Sequence, residues 1–193
     1  SHENITAIKL AEEAIRILAN TDALTGLPNR RHFFETAEEE FARAQRYETP
    51  LAVLMIDLDN FKSFNDRHGH AGGDAVLRSF ALVLSGLLRH SDSAGRVGGE
   101  EFAVVLPHTS LEGACAFAER LMERIAANPP DIDGQPAPYT LSVGISEITP
   151  SSKDFSALLI LADKALYRAK HGGRNRLVVL TGNDIAGSGS NAA

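Results

Sequence analysis

The sequence predicts an α/β or α+β fold: a central mixed sheet flanked by helices, with one β-hairpin near the middle of the chain. Three observations lead there. The run Leu51-Ala52-Val53-Leu54-Met55-Ile56 is apolar without alternation, as expected of a central strand buried on both faces. Segments with helical spacing, such as Val76, Leu77, Phe80, Leu84, Leu87 and Leu88, separate the strand-like runs, so helices and strands interleave. Gly98-Gly99 parts two short segments, the second being Phe102-Ala103-Val104-Val105-Leu106, as the turn of a hairpin does. A tight turn there asks for φ > 0, which glycine adopts without steric cost.

The totals bound the rest. With 193 residues, 44% hydrophobic and 23% charged, the chain is expected to form one domain over residues 21–181, with a helix before it and a tail after it. A net charge of −6 argues against non-specific binding to nucleic acid or to an anionic membrane. Any anionic substrate must therefore meet a local concentration of cations. The single cysteine, Cys115, excludes an internal disulfide and reads as a small core residue. No apolar run approaches the ~18 residues of a membrane span. A reducing, cytoplasmic setting is expected, which also accommodates the cytoplasmic part of a larger, membrane-anchored protein.

Residues 3–20 read as a helix whose narrow apolar seam, Ile8, Ala11, Ile15 and Leu18, steps by three and four. That is coiled-coil spacing over about two heptads; a helix packed on its own domain is the other reading. Gly26-Leu27-Pro28-Asn29 breaks it, and Asn29 can cap a second helix over roughly 30–47. The central strand ends in Asp57-Leu58-Asp59. Its two aspartates share a face where the strand leaves the core, a costly pairing without positive charge between them. Either one of them caps a helix or both serve a hard cation such as Mg²⁺. Residues 60–64 read as a helical turn whose free N–H groups suit phosphate oxygens.

Residues 65–74 read as a polar, glycine-rich loop, where His68 and His70 are a weak metal signal without a third partner. Helices follow over 74–89, 114–128 and 155–170, a turn-rich loop over 129–138, and strands over 139–148 and 176–180. The small, polar residues 182–193 read as a disordered tail. Directly after the Gly-Gly turn stand Glu100 and Glu101. Strand alternation sends them to opposite faces, one toward a site and one bracing it.

The stretch from Arg96 to Phe102 resembles the signature of GGDEF-domain diguanylate cyclases, in the variant with glutamate at the third position. The resemblance covers residues 22–176. It includes Asp22-Ala23-Leu24-Thr25-Gly26-Leu27-Pro28-Asn29-Arg30-Arg31, Asp57-Leu58-Asp59-Asn60-Phe61-Lys62 and Asn65-Asp66. It continues through Gly69-His70-Ala71-Gly72-Gly73-Asp74 and Lys170-His171-Gly172-Gly173-Arg174-Asn175. Their order and spacing make chance an improbable cause.

The family implies a fold similar to the palm of nucleotide polymerases and nucleotidyl cyclases. It implies condensation of two GTP into cyclic di-GMP with release of pyrophosphate, at the interface of a homodimer in which each domain binds one GTP. Two Mg²⁺ (or Mn²⁺) ions per site are implied, with Asp57, the Leu58 carbonyl and Glu100 matching the metal ligands. Glu100 also matches the base position, with Glu101 a second site carboxylate and Lys62 a stabiliser of transition-state charge. Asn65 and Asp74 match the guanine-reading positions; an Asp suits the N1–H and N2–H donors of guanine and disfavours adenine.

Phe61, Lys62, Lys170 and Arg174 match phosphate contacts. Gly98 and Gly99 leave room for the nucleotide against the hairpin backbone. Arg89 and Asp92, with Arg120 as a secondary contact, match a site where the cyclic di-GMP product binds and inhibits; a surface ion pair is the plainer reading of Arg89 and Asp92. An upstream sensor joined through residues 1–20 is implied as well. A non-catalytic GGDEF domain that senses GTP or cyclic di-GMP is the alternative, and a mononucleotide cyclase of related fold is disfavoured by the Gly-Gly-Glu-Glu-Phe hairpin.

Overall fold

Three neighbouring strands buried on both faces build the centre of the molecule, and their side-chain directions decide which residues face which helices. The computed structural model describes residues 2–186. Its main sheet has five strands: β1 (Leu51–Leu58), β2 (Ser93–Arg96), β3 (Glu101–Pro107), β6 (Leu141–Glu147) and β7 (Arg176–Val179), in the order β2-β3-β1-β6-β7. All pairings are antiparallel except β6 with β7, which are parallel. This is the expected mixed sheet. A small hairpin, β4 (Asp131–Ile132) and β5 (Gln135–Pro136), lies in the turn-rich loop.

Every residue of β1 is buried, which is why its sequence shows no alternation. One face carries Ala52, Leu54, Ile56 and Leu58 against α3 (Phe61–Leu87) and α4 (Leu111–Ala127). The other carries Leu51, Val53 and Met55 against Phe33, Ala37 and Phe41 of α2 (Arg30–Tyr47) and Leu158, Ala162 and Leu166 of α5 (Phe155–His171). Gly144 in β6 lets α5 lie this close. A Cβ there would collide with the Ala162 carbonyl and the Leu166 backbone nitrogen.

The structure corrects several expectations. Residues 65–74 are helical, as part of α3, broken only at Gly69 (φ 74°, ψ 172°). The glycines that signal a loop are instead buried at close helical contacts, Gly72 against His68 and Gly73 against Asn65. Neither Gly98 nor Gly99 has positive φ. The turn spans residues 97–100, long enough to avoid the two-residue geometry that requires it.

Helix α1 (His2–Asn20) buries no residue, so the reading that it packs on its own domain is not met. Its seam residues Ile8, Ile15 and Leu18 face outward, 53%, 66% and 78% exposed. Of the expected disordered tail, Gly182–Ala186 forms the short helix α6; residues 187–193 lie outside the described residues. Among the described residues, no helix is long and apolar enough to cross a membrane.

Candidate active site

Strand β1 delivers Asp57 to the end of the sheet. The register sets it between Glu101 of β3 and Ser142 of β6, so Glu101 shares its face. Glu100 precedes β3, in the turn, and its carbonyl accepts the Leu58 N–H at 3.2 Å. Strand alternation thus applies to Glu101 and not to Glu100. Asp57 is buried, and its Oδ2 accepts a hydrogen bond from Lys170 Nζ at 3.1 Å. Burial pushes its carboxyl up to about 6; Lys170 opposes that shift, while the charges of Glu100 and Glu101 add to it. Close packing of α5 at Gly144 is what brings Lys170, at the end of that helix, to this strand.

Asp59, which the sequence allows as a cap or as a second cation ligand, does not cap α3, and both of its oxygens accept hydrogen bonds from within the chain. Its Oδ1 accepts from Ser142 Oγ (2.6 Å), and its Oδ2 from Thr140 Oγ1 (2.6 Å) and the Asn175 N–H (2.9 Å). The cap position of α3 is Asn60, at φ 54° and without a side-chain cap bond. The first N–H groups of α3, at Phe61 and Lys62, therefore have no capping side chain, which suits an anion. One turn on, Asn65 Oδ1 is buried without a partner. It lies against Gly73, where a Cβ would overlap it. The Gly69 break thus lets two helical halves bring Asn65 beside the residue preceding Asp74.

The hairpin turn is gripped by groups whose role the sequence leaves unread. Arg96 donates from Nε and Nη2 to the Gly99 carbonyl (3.0 and 2.7 Å) and from Nη1 to both Asp22 oxygens (3.3 Å each). Arg30 Nη1 donates to the Val97 carbonyl at 2.9 Å. Burial pushes Asp22 up, but Thr25 and Arg96 outweigh it and hold the carboxyl below its ordinary value. Both arginines and Asp22 belong to the recognisable motifs, yet Asp22 and Arg96 are 74 residues apart; no local signal pairs them.

Other predicted residues stand elsewhere. Arg89 and Asp92 form the turn before edge strand β2, with Asp92 five residues before the hairpin turn, about 17 Å along the strand at ~3.3 Å per residue. They do not form a surface ion pair, the plainer of the two readings. Asp92 Oδ2 accepts from the Arg89 backbone N–H at 2.8 Å, and Asp92 Oδ1 is buried without a partner. Arg120 is exposed on α4, and Arg174 is exposed with φ 63°.

Asp57 and Glu100 offer the hard oxygen donors that Mg²⁺ requires. Among the described residues no three His, Cys, Asp or Glu side chains converge as a metal cage. A Mg²⁺ site built on one or two carboxylates and completed by nucleotide phosphates fits such a donor set.

Comparison with known proteins shows the family. The family described as "Diguanylate cyclase, GGDEF domain" matches residues 19–176. The diguanylate cyclase DgcP of Pseudomonas aeruginosa is 46% identical over 161 residues, 83% of this chain and 24% of that protein. A diguanylate cyclase of Vibrio cholerae is 40% identical over 176 residues, 91% of this chain and 54% of that protein. The chain thus spans between about a quarter and half of these relatives. The coiled coil and GGDEF domain of DgcB from Caulobacter crescentus, solved with c-di-GMP, superposes with a TM-score of 0.86 at 29% identity, covering 93% of this chain and 95% of that one. With the match spanning most of its length, the chain belongs to the GGDEF-domain family of diguanylate cyclases.

Proposed function

We propose that this domain, paired with a second copy, condenses two GTP into cyclic di-GMP and releases two pyrophosphates. The observation that carries the reading is Asp57: a buried carboxylate at a strand end, between Glu100, Glu101 and Lys170. In each half-reaction a 3′-hydroxyl attacks an α-phosphate in line and pyrophosphate leaves. Asp57, the Leu58 carbonyl and Glu100 would hold the Mg²⁺ or Mn²⁺ ions, two per site. The ions supply charge neutralisation at the phosphates and acidity at the attacking hydroxyl.

The chain's own residues do the rest. The uncapped N–H groups of Phe61 and Lys62 receive terminal phosphate oxygens, and the Lys62 ammonium stabilises charge that develops in the transition state. Asn65 Oδ1 and Asp74 accept the guanine N–H groups, which favours GTP over ATP because adenine would leave an acceptor unpaired. Lys170 and Arg174 meet the phosphates from the end of α5, and the bare backbone at Gly98 and Gly99 admits the nucleotide. Glu100 takes the 3′-hydroxyl proton, with Glu101 beside Asp57 in support.

Arg89, Asp92 and Arg120 form a second site for the guanines of cyclic di-GMP. The open Asp92 oxygen and an Arg89 guanidinium not spent on Asp92 support it. A coiled coil through the exposed α1 seam supports pairing of the domains and a link to an upstream sensor.

Incubation with GTP and Mg²⁺, followed by chromatography, tests the reading. Cyclic di-GMP from the wild type and none from Glu100→Ala is the expected result; GTP left intact by a verified dimer overturns it. In the same assay Arg89→Ala is expected to abolish slowing by added product, and unchanged slowing removes the inhibitory assignment.

A further inference from the structure

The turn after α5 is held in an unusual backbone form. Gly173, Arg174 and Asn175 have φ of 117°, 63° and 44° in succession. A left-handed backbone is unfavourable for residues that carry a Cβ, and it persists where surrounding structure enforces it. The Arg174 N–H donates to the Ala169 carbonyl (3.0 Å), and Arg176 Nε to the Arg174 carbonyl (3.1 Å). Both bonds stay within the local segment. The Asn175 N–H instead donates to Asp59 Oδ2 at 2.9 Å, 116 residues away in sequence.

Asp59 is a rigid anchor. It is 6% exposed, and it is fixed by Thr140 Oγ1 and Ser142 Oγ at 2.6 Å each. Its own N–H donates to the Thr140 carbonyl at 2.9 Å. The end of β1 therefore grips the closing segment twice. Asp57 takes the Lys170 ammonium, and two residues on Asp59 takes the Asn175 backbone. Arg174 stands between these two fixed points.

We propose that Asp59 is a positioning residue for the nucleotide's phosphates: by holding the Asn175 N–H it keeps the turn left-handed and so aims the Arg174 guanidinium. The inference rests on the reading of Lys170 and Arg174 as phosphate contacts. A guanidinium recognises phosphate through directed, planar hydrogen bonds. If the turn relaxes to negative φ, Arg174 keeps its charge but loses its direction.

The test measures binding by calorimetry of two ligands to the wild-type chain, Asp59→Ala, Arg174→Ala and the double variant. One ligand is a non-reacting GTP analogue with a methylene between the α- and β-phosphorus atoms; the other is GMP. Asp59→Ala is expected to weaken the analogue about tenfold, the scale of one misdirected charge-assisted bond. GMP affinity should stay within about twofold, because the base and ribose contacts are untouched. The double variant should bind the analogue no more weakly than Arg174→Ala does.

Analogue affinity unchanged in Asp59→Ala overturns the inference. So does a parallel loss for both ligands, which marks a general loss of structure, or a double variant in which the two losses multiply. Unchanged analogue affinity in Arg174→Ala itself overturns the phosphate reading and the inference with it, which separates the two failures. Asp59→Asn keeps an acceptor for Asn175 and is expected to bind both ligands like the wild type. Asp59→Ser cannot reach Asn175; where Asp59→Ala fails to fold, it replaces that variant with the same expected outcome.

Discussion

Replacing Arg96 by methionine keeps most of the side chain's apolar stem and removes every donor that grips the catalytic turn. Two hydrogen bonds to the Gly99 carbonyl, at 3.0 and 2.7 Å, and the contacts to Asp22 at 3.3 Å are lost. The Asp22 pair is partly exposed, at 18% and 21% for the two side chains, and contributes about 0.5–1 kcal/mol. The charged grip on one carbonyl contributes about 1.5–2 kcal/mol more. Other ties remain: the Leu58 N–H to the Glu100 carbonyl, and the Val97 and Gly98 N–H groups to the Glu101 carbonyl. The fold should therefore survive, and the loss should appear as disorder of the Gly99–Glu100 peptide and of the carboxylate it carries.

A loss of about 2–3 kcal/mol in transition-state stabilisation lowers kcat roughly 30- to 150-fold. Steady-state formation of cyclic di-GMP measures this, with thermal melting run in parallel. Arg96→Lys keeps the charge but lacks the planar fork that reaches Gly99 and Asp22 together, so it should fall between the two. A kcat within about twofold of the wild type would refute the reasoning, as would a loss of activity that tracks the unfolded fraction alone.

Two further outcomes follow from the same geometry. Lys170→Met removes the cation that favours ionised Asp57, so the acid limb of activity at limiting Mg²⁺ should move upward from about 6; a pH–rate profile with the limb unmoved or lowered contradicts this. Gly144→Ala puts a methyl group into the α5 backbone at Ala162 and Leu166 and should cost about 3 kcal/mol, lowering Tm on the order of 10 °C. A melting curve within about 2 °C of the wild type would show that α5 can move aside at no such cost.

Much of the fold is legible along the chain because the relevant forces are local or periodic. The unbroken burial of residues 51–58 appears directly as a run without alternation, and the helical spacing after residue 74 marks the face that packs on the sheet. Two misreadings share one cause. Glycine signals at 69–73 and at 98–99 suggest backbone freedom, and only Gly69 uses positive φ. Gly73 is small because Asn65 occupies the space beside it, and Gly98 stands against the Glu101 side chain without needing positive φ. Small size and backbone freedom look identical in a sequence.

By itself the sequence determined the mixed sheet, most of its strands and helices, and the family. Only the tertiary structure decided the partners of individual side chains. Asp57 and Asp59 are the same residue type two positions apart, yet one meets Lys170, 113 residues away, and the other Asn175, 116 residues away. The physical reason is that periodicity and turn chemistry act over a few residues, whereas hydrogen-bond partners are assigned by strand register and by how closely a helix lies on the sheet. Those depend on the packed whole, and here on contacts as specific as α5 resting against Gly144.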